Sequence, residues 1–328
     1  MSNTIKRRKL ILDVDTGSDD AVAIMAAALA PQLDLVAVCT TWGNQPVHNT
    51  TENTLRVMRM IGKSTPVYKG SPDAMVKHLS FSRLRDGRIN KSVKLDDGKI
   101  LRMHPDYLEI PPSDRPFERR DACSFYVDYL MHATEKITLV AVGPMSNLGV
   151  ALTMEPRIAE HIEEIVIMGG GSRQANCTSC AESNIWHDPE AAQKVIGCGA
   201  KVTIVPLDAT HKGAFGKEHC AMLRALHTRT GDFAAEMAEN RMLVYNKTQP
   251  LHKKDLSPVH DALCIAYLID PTVLTDVQFC RCDIDCGDGV GQGQTIVDPR
   301  YFTEEKNVYF AFGADPDKFA SILCELFK

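Results

Sequence analysis

Short unbroken apolar runs alternate along this chain with stretches whose apolar residues recur every three or four positions. Residues 10–12, 35–40, 137–142, 165–168 and 202–205 are runs of the first kind and predict buried strands. Residues 19–30, 49–61, 145–152, 189–195 and 217–227 are of the second kind and predict helices, the first stopped at Pro31 and the second closed by Gly62. Another helix is expected after His260, then an apolar run at 308–312 and a closing helix near 316–327. Alternation of this sort means parallel strands joined by crossover helices. Strands that are apolar throughout belong to a sheet covered on both faces. The expected fold class is therefore α/β, a single domain over 1–328 with a mainly parallel, Rossmann-like open sheet flanked by helices. Residues from about 76 to 120 break the pattern. They are rich in Arg, Lys, Asp, Gly and Pro, and read as an inserted polar segment and a candidate lid.

The densest chemistry follows the first strand. Asp13, Asp15, Asp19 and Asp20 place four carboxylates within eight residues. Like charges this close raise each other's pKa and repel unless a cation lies among them. The loop reads as a hard-cation site at the C-terminal end of a strand, where open α/β sheets place their ligand crevice. Asp19-Asp20 alone would also suit the first turn of a helix, where the macrodipole favours acids.

Composition narrows the class. The 328 residues carry a net charge of -5 and are 44% hydrophobic, which suits a globular protein with a large core. A mild negative charge does not steer a protein to nucleic acid or to an anionic membrane. The basic run 6–9 reads as a solvated lead-in to the first strand. No apolar stretch has transmembrane length and no signal-peptide core is present, so the expected location is the cytoplasm. The 11 cysteines are odd in number and scattered, as in a reduced intracellular protein. Cys177/Cys180 and Cys280/Cys282/Cys286 could be zinc half-sites, but lack the regular partner spacing of a zinc fold.

Three further segments complete a pattern: Gly143-Pro144-Met-Ser-Asn147; Asn176 with Glu182 and Asn184, followed by Asp188-Pro189-Glu190-Ala191-Ala192; and His260-Asp261-Ala262. With the Asp-x-Asp-x-Gly-x-Asp-Asp opening, these resemble the inosine-uridine-preferring nucleoside hydrolase family, in the family's order and across nearly the whole chain. The resemblance implies cleavage of the N-glycosidic bond of ribonucleosides with water and one bound Ca²⁺ per subunit. It assigns the ion to Asp15, Asp20, Asp261 and the backbone carbonyl of Val142. Asp13 would brace the loop. Asp19, Asn44, Asn176, Glu182 and Asn184 would bind the ribose. Asn176, Glu182 and Asn184 could equally be capping and turn residues ahead of a helix. Asp15 is the implied general base, and His260 the candidate acid that protonates the leaving base. Purine nucleosides such as inosine and guanosine are the favoured substrates, with uridine possible, in nucleoside salvage. The family also implies a homodimer or homotetramer.

One part of the family pattern is absent. Where many members carry a His-Gly pair and a Gly-rich flap, Lys77-His78-Leu79 leads into the charged segment. His78, Arg83, Arg85, Arg88 and His104 are equivalent candidates for contact with the base. Trp186 could stack on a purine or sit in the core. Two other readings remain at this point. A haloacid-dehalogenase-type phosphatase would use Asp13 as nucleophile, Asp15 as acid/base and Mg²⁺ as its metal. A non-catalytic Ca²⁺-dependent nucleoside-binding protein would keep the site without turnover.

Overall fold

The computed structural model describes residues 7–80, 92–95, 98–298, 300, 302 and 305–328. Its first strand, β1 (Arg8–Val14), shows how the sheet is covered. Successive side chains of a strand point to opposite faces. Leu10, Leu12 and Val14 enter one apolar cluster, with helix α1 (Ser18–Leu29) and helix His260–Ile269. Ile11 enters the other, with helices Ala122–Met131, Ser146–Met154 and Pro189–Ile196. Both faces are therefore dry, as the continuous apolar runs require.

The remaining strands are β2 (Leu33–Thr40), β3 (Val67–Lys69), β4 (Ser92–Lys94), β5 (Ile100–Arg102), β6 (Ile137–Ala141), β7 (Ile162–Met168), β8 (Val202–Val205), β9 (Leu274–Ile284), β10 (Thr295–Asp298) and β11 (Val308–Ala314). Nine of them form one sheet in the order β10-β9-β11-β8-β7-β6-β1-β2-β3, and β4 pairs with β5 as a separate antiparallel hairpin. Pairings from β3 to β11 are parallel; β9 runs antiparallel to both β11 and β10. This is a single-domain α/β fold with a large, mainly parallel sheet.

Chain order along the sheet reverses at β1. From β1 the chain moves through β2 to β3 on one side, then returns to β6 on the other. Ligands of open α/β sheets bind at such a switch point, beyond the carboxyl ends of the strands. Asp15 follows the end of β1 and Val142 follows the end of β6, and the amide of Val142 donates to the carbonyl of Asp13 at 2.9 Å.

The segment 76–120 contains the β4–β5 hairpin. Val93 and Met103 pack in a small cluster with Val244 and Tyr245 of helix Arg229–Thr248. Among the described residues, no helix is long and apolar enough to cross a membrane.

Candidate active site

The acidic loop is folded by its own carboxylates. Asp20 is fully buried and accepts from the backbone amides of Asp15 at 3.1 Å and Gly17 at 2.9 Å, tying the loop to the first turn of α1. Asp15 Oδ2 accepts from the amide of Asn44 at 2.6 Å. Asp15 Oδ1 is buried and has no hydrogen-bond partner among the described residues. Opposite stands Gly43, with φ of +152°, a conformation side chains rarely adopt. A Cβ there would lie 2.1 Å from Asp15 Oδ2. Gly43→Ala is therefore expected to destabilise the protein by about 2 kcal/mol or more and to depress turnover with it. Unchanged melting temperature and kcat would remove this account of the glycine.

Asp261 reaches the same place from the start of helix His260–Ile269. Asp19, Asp20 and Asp261 offer carboxylate oxygens that all lie within 4.8 Å of one another. Burial pushes the Asp15 carboxyl well above its ordinary range, and the Asp20 charge adds to that. Asp261 is raised by burial and then by Asp19, Asp20 and Asp15. Asp20 is pushed up to about 6 by burial and then by Asp19. The basic side chain bonded to the cluster is Arg241, 3% exposed, whose Nη1 donates to Asp19 Oδ1 at 2.8 Å. Breaking one half of such a buried pair costs about 3–5 kcal/mol. An orphaned carboxylate oxygen, three converging acids and an all-oxygen donor set fit a hard divalent cation.

Asp13 is different in kind. It lies one residue from the end of β1 on the other sheet face, where Asn147 Nδ2 donates to both its oxygens at 3.1 Å and the Tyr126 hydroxyl donates at 3.0 Å. Burial pushes its carboxyl up to about 7, against the pull of those two donors. A carboxylate enclosed in this way braces the loop and is no nucleophile.

The cavity beside the acids is walled by Asp19, Asn44, Val142, Asn176, Glu182, Asn184, Asp261 and others. Glu182 caps helix Ser183–His187, and its Oε2 accepts from the amides of Asn184 at 2.9 Å and Gly170 at 3.0 Å. Its carboxyl is pushed up to about 6 by burial, against those backbone donors. Asn176 Oδ1 accepts from the amide of Ser183 at 2.9 Å. Asn184 Nδ2 donates to the carbonyls of Val142 at 2.8 Å and Met168 at 3.0 Å. For Glu182 and Asn176, capping and lining are thus the same act: the bonds to amides at the start of the helix fix these side chains against the cavity.

Comparison with known proteins decides what kind of site this is. The profile described as "Inosine-uridine preferring nucleoside hydrolase" matches residues 10–321. The chain belongs to this family. It hydrolyses the N-glycosidic bond of ribonucleosides. The pyrimidine-specific ribonucleoside hydrolase RihB of Shigella sonnei is 36% identical over 296 residues, covering 90% of this chain and 88% of that one. The solved purine-preferring ribonucleoside hydrolase from Gardnerella vaginalis is 30% identical with a TM-score of 0.82, covering 98% of this chain and 99% of that one. The plant nucleoside hydrolase PpNRh1 is 26% identical, also at 0.82, with 98% of each chain covered. The phosphatase built on Asp13 and the non-catalytic binder are both set aside.

His260 also lines the hydrolase's cavity and is held at both nitrogens. Nδ1 lies 2.8 Å from Thr210 Oγ1, and Nε2 lies 2.8 Å from the Tyr245 hydroxyl. Tyr245 also lines the cavity and is the partner that sequence reading missed. It sits on helix Arg229–Thr248, one turn beyond Arg241, so both project from one face. Of the flap candidates, His104 lines the cavity, and its Nδ1 accepts from the amide of Ser18 at 3.4 Å. His78 is exposed in the short turn Lys77–Leu79 and is not part of the cavity wall. Arg83, Arg85 and Arg88 lie outside the described residues. Trp186 is buried and lines the cavity, edge-on to His187 at a ring spacing of 5.3 Å, and Trp42 meets the same imidazole edge-on at 5.1 Å. Cys280 and Cys282 are buried in β9 against the apolar core.

Proposed function

We propose that this hydrolase works with one Ca²⁺ per subunit, converting ribonucleosides to free base and ribose in nucleoside salvage, purine nucleosides such as inosine and guanosine first and uridine after them. The observation that carries the reading is the convergence of Asp15, Asp19, Asp20 and Asp261 at the sheet's switch point, beside a cavity walled by Asn44, Asn176, Glu182 and Asn184. Asp15, Asp20, Asp261 and the Val142 carbonyl would hold the ion. A bound Ca²⁺ would supply a fixed water of lowered pKa and a positive charge for the sugar hydroxyls.

The chain's own groups do the rest. Asp19 and Asn44 take ribose hydroxyls, and Asn176, Glu182 and Asn184 grip the other side of the sugar, since amides donate and accept while a carboxylate accepts. As the bond from C1′ to the base nitrogen breaks, positive charge grows on the sugar, and the surrounding carboxylates stabilise it as they do in O-glycoside cleavage. Asp15 takes the proton from the attacking water through its unpartnered oxygen. The departing base needs a proton, at a ring nitrogen for a purine. His260 and Tyr245 supply it as a pair: both line the cavity, and the imidazole Nε2 lies 2.8 Å from the phenol hydroxyl.

The relatives divide between a pyrimidine-specific and a purine-preferring name, so the base ranking is the first thing to measure. Free-base release from inosine, guanosine, adenosine, uridine and cytidine orders the substrates. Uridine and cytidine ahead of every purine would overturn the purine preference. His260→Ala and Tyr245→Phe are each expected to lower kcat on purine nucleosides about 10²–10⁴-fold and to spare p-nitrophenyl riboside, whose leaving group needs no proton. Equal losses on both substrate types would remove the acid role.

Residues 76–120 act in this reading as a lid. The support is the packing of Val93 and Met103 on Tyr245, together with the place of Met103 and His104 in the cavity wall. A single domain over 1–328, assembly as a homodimer or homotetramer and residence in the cytoplasm complete the reading by analogy with the family. The oligomeric state is read by sedimentation.

A further inference from the structure

Asp19 has the position of a metal ligand. Its oxygen and those of Asp20 and Asp261 all lie within 4.8 Å of one another. What sets Asp19 apart is Arg241. The guanidinium Nη1 donates to Asp19 Oδ1 and to Ser18 Oγ, both at 2.8 Å. Its Nε donates at 3.1 Å to the carbonyl of Pro258, three residues before Asp261. One buried cation is thus bonded both to the start of α1 and to the segment that delivers Asp261. Asp19 Oδ2 accepts no hydrogen bond among the described residues, and Asp19 lines the cavity.

We propose that Arg241 is a positioning residue that keeps Asp19 out of the metal's ligand set and leaves it for a substrate hydroxyl. The proposal rests on the metal reading given above. A carboxylate already bonded to a guanidinium is a weaker donor to a second cation, and the two positive charges repel each other across it. The number of anionic ligands sets Ca²⁺ affinity steeply. Without Arg241, Asp19 would be a buried charge lacking a counter-ion, and the metal would be the nearest one. Arg241 therefore trades metal affinity for substrate recognition, by assigning different work to four acids that the sequence packs together.

The test is calorimetric titration of the chelator-stripped full-length protein with Ca²⁺ alone, beside nucleoside kinetics. Arg241→Gln is expected to bind Ca²⁺ about tenfold more tightly than wild type while KM for nucleoside rises. A merely structural arginine would give weaker binding when removed. The double variant Asp19→Asn/Arg241→Gln removes both charges and leaves no buried lone ion, so it remains informative if the single variant fails to fold. Its Ca²⁺ affinity is expected to match wild type. Unchanged or weaker binding in a folded Arg241→Gln protein overturns the proposal. So does a tenfold loss in the double variant, which would make Asp19 a ligand. Absence of Ca²⁺ binding by wild type is a separate outcome that overturns the metal reading and the proposal with it.

Discussion

Asp15→Asn is expected to lower kcat/KM on nucleosides by about four orders of magnitude without unfolding the protein. The side chain is nearly isosteric, and its remaining oxygen can still accept from the Asn44 amide that now bonds Oδ2 at 2.6 Å. The loss falls on the other atom. Oδ1 is buried and unpartnered among the described residues, and an amide NH₂ there can neither accept a proton nor approach a cation. General-base catalysis alone is worth about 10²–10⁴-fold, and in the proposed arrangement an anionic metal ligand goes with it. Steady-state kinetics at saturating Ca²⁺, paired with circular dichroism, separates the two. A decrease smaller than about tenfold in a folded variant would show that proton removal belongs to another group.

The second large effect is the dependence of stability on pH once metal is stripped. Asp13 and Asp20 are held at about 7 and about 6, from an ordinary value of 3.8, and Asp15 and Asp261 are raised as well. A carboxyl raised in the folded state keeps a proton that the unfolded chain has already lost. Its contribution is complete below about pH 4 and is lost as pH rises through the folded value. Each pK unit is about 1.4 kcal/mol, so several kcal/mol are at stake between pH 4 and 7. The chelated protein should therefore melt at lower temperature at pH 7 than at pH 5. Ca²⁺ should restore much more at pH 7, where its ligands are ionised. A melting temperature independent of pH in chelator would mean that these acids are already compensated.

Much of this architecture could be read from the pattern of residues, because strands buried on both faces have no polar side to blur them. Residues 202–205 form the same strand in both readings. The acidic loop was legible because four acids in eight residues are costly without a cation. Helix Arg229–Thr248 was not legible, and the reason is specific. Its buried face runs through Ala234, Ala238, Arg241 and Tyr245, with the guanidinium where an apolar residue is expected. The residue that spoils the amphipathic pattern is the one that reaches the acids. Tyr245 went unseen for the same reason: its bond to His260 depends on a helix the pattern hid. The strand Leu274–Ile284 largely alternates polar and apolar residues and runs antiparallel one strand in from the sheet's edge, away from the continuous runs that mark the parallel part. His104 had no feature to separate it from His78, since loop contacts are set by where the hairpin docks.

The acids of the site come from distant parts of the chain: Asp15 and Asp20 before α1 is finished, Asp261 more than two hundred residues later. During synthesis the first strand and its acidic loop leave the ribosome long before their last partner exists. Until Asp261 and helix His260–Ile269 have emerged and docked against α1, the nascent protein carries the loop with no means to close it. Activity should therefore appear only once synthesis has passed helix His260–Ile269, and fragments released before it should be inert toward nucleosides.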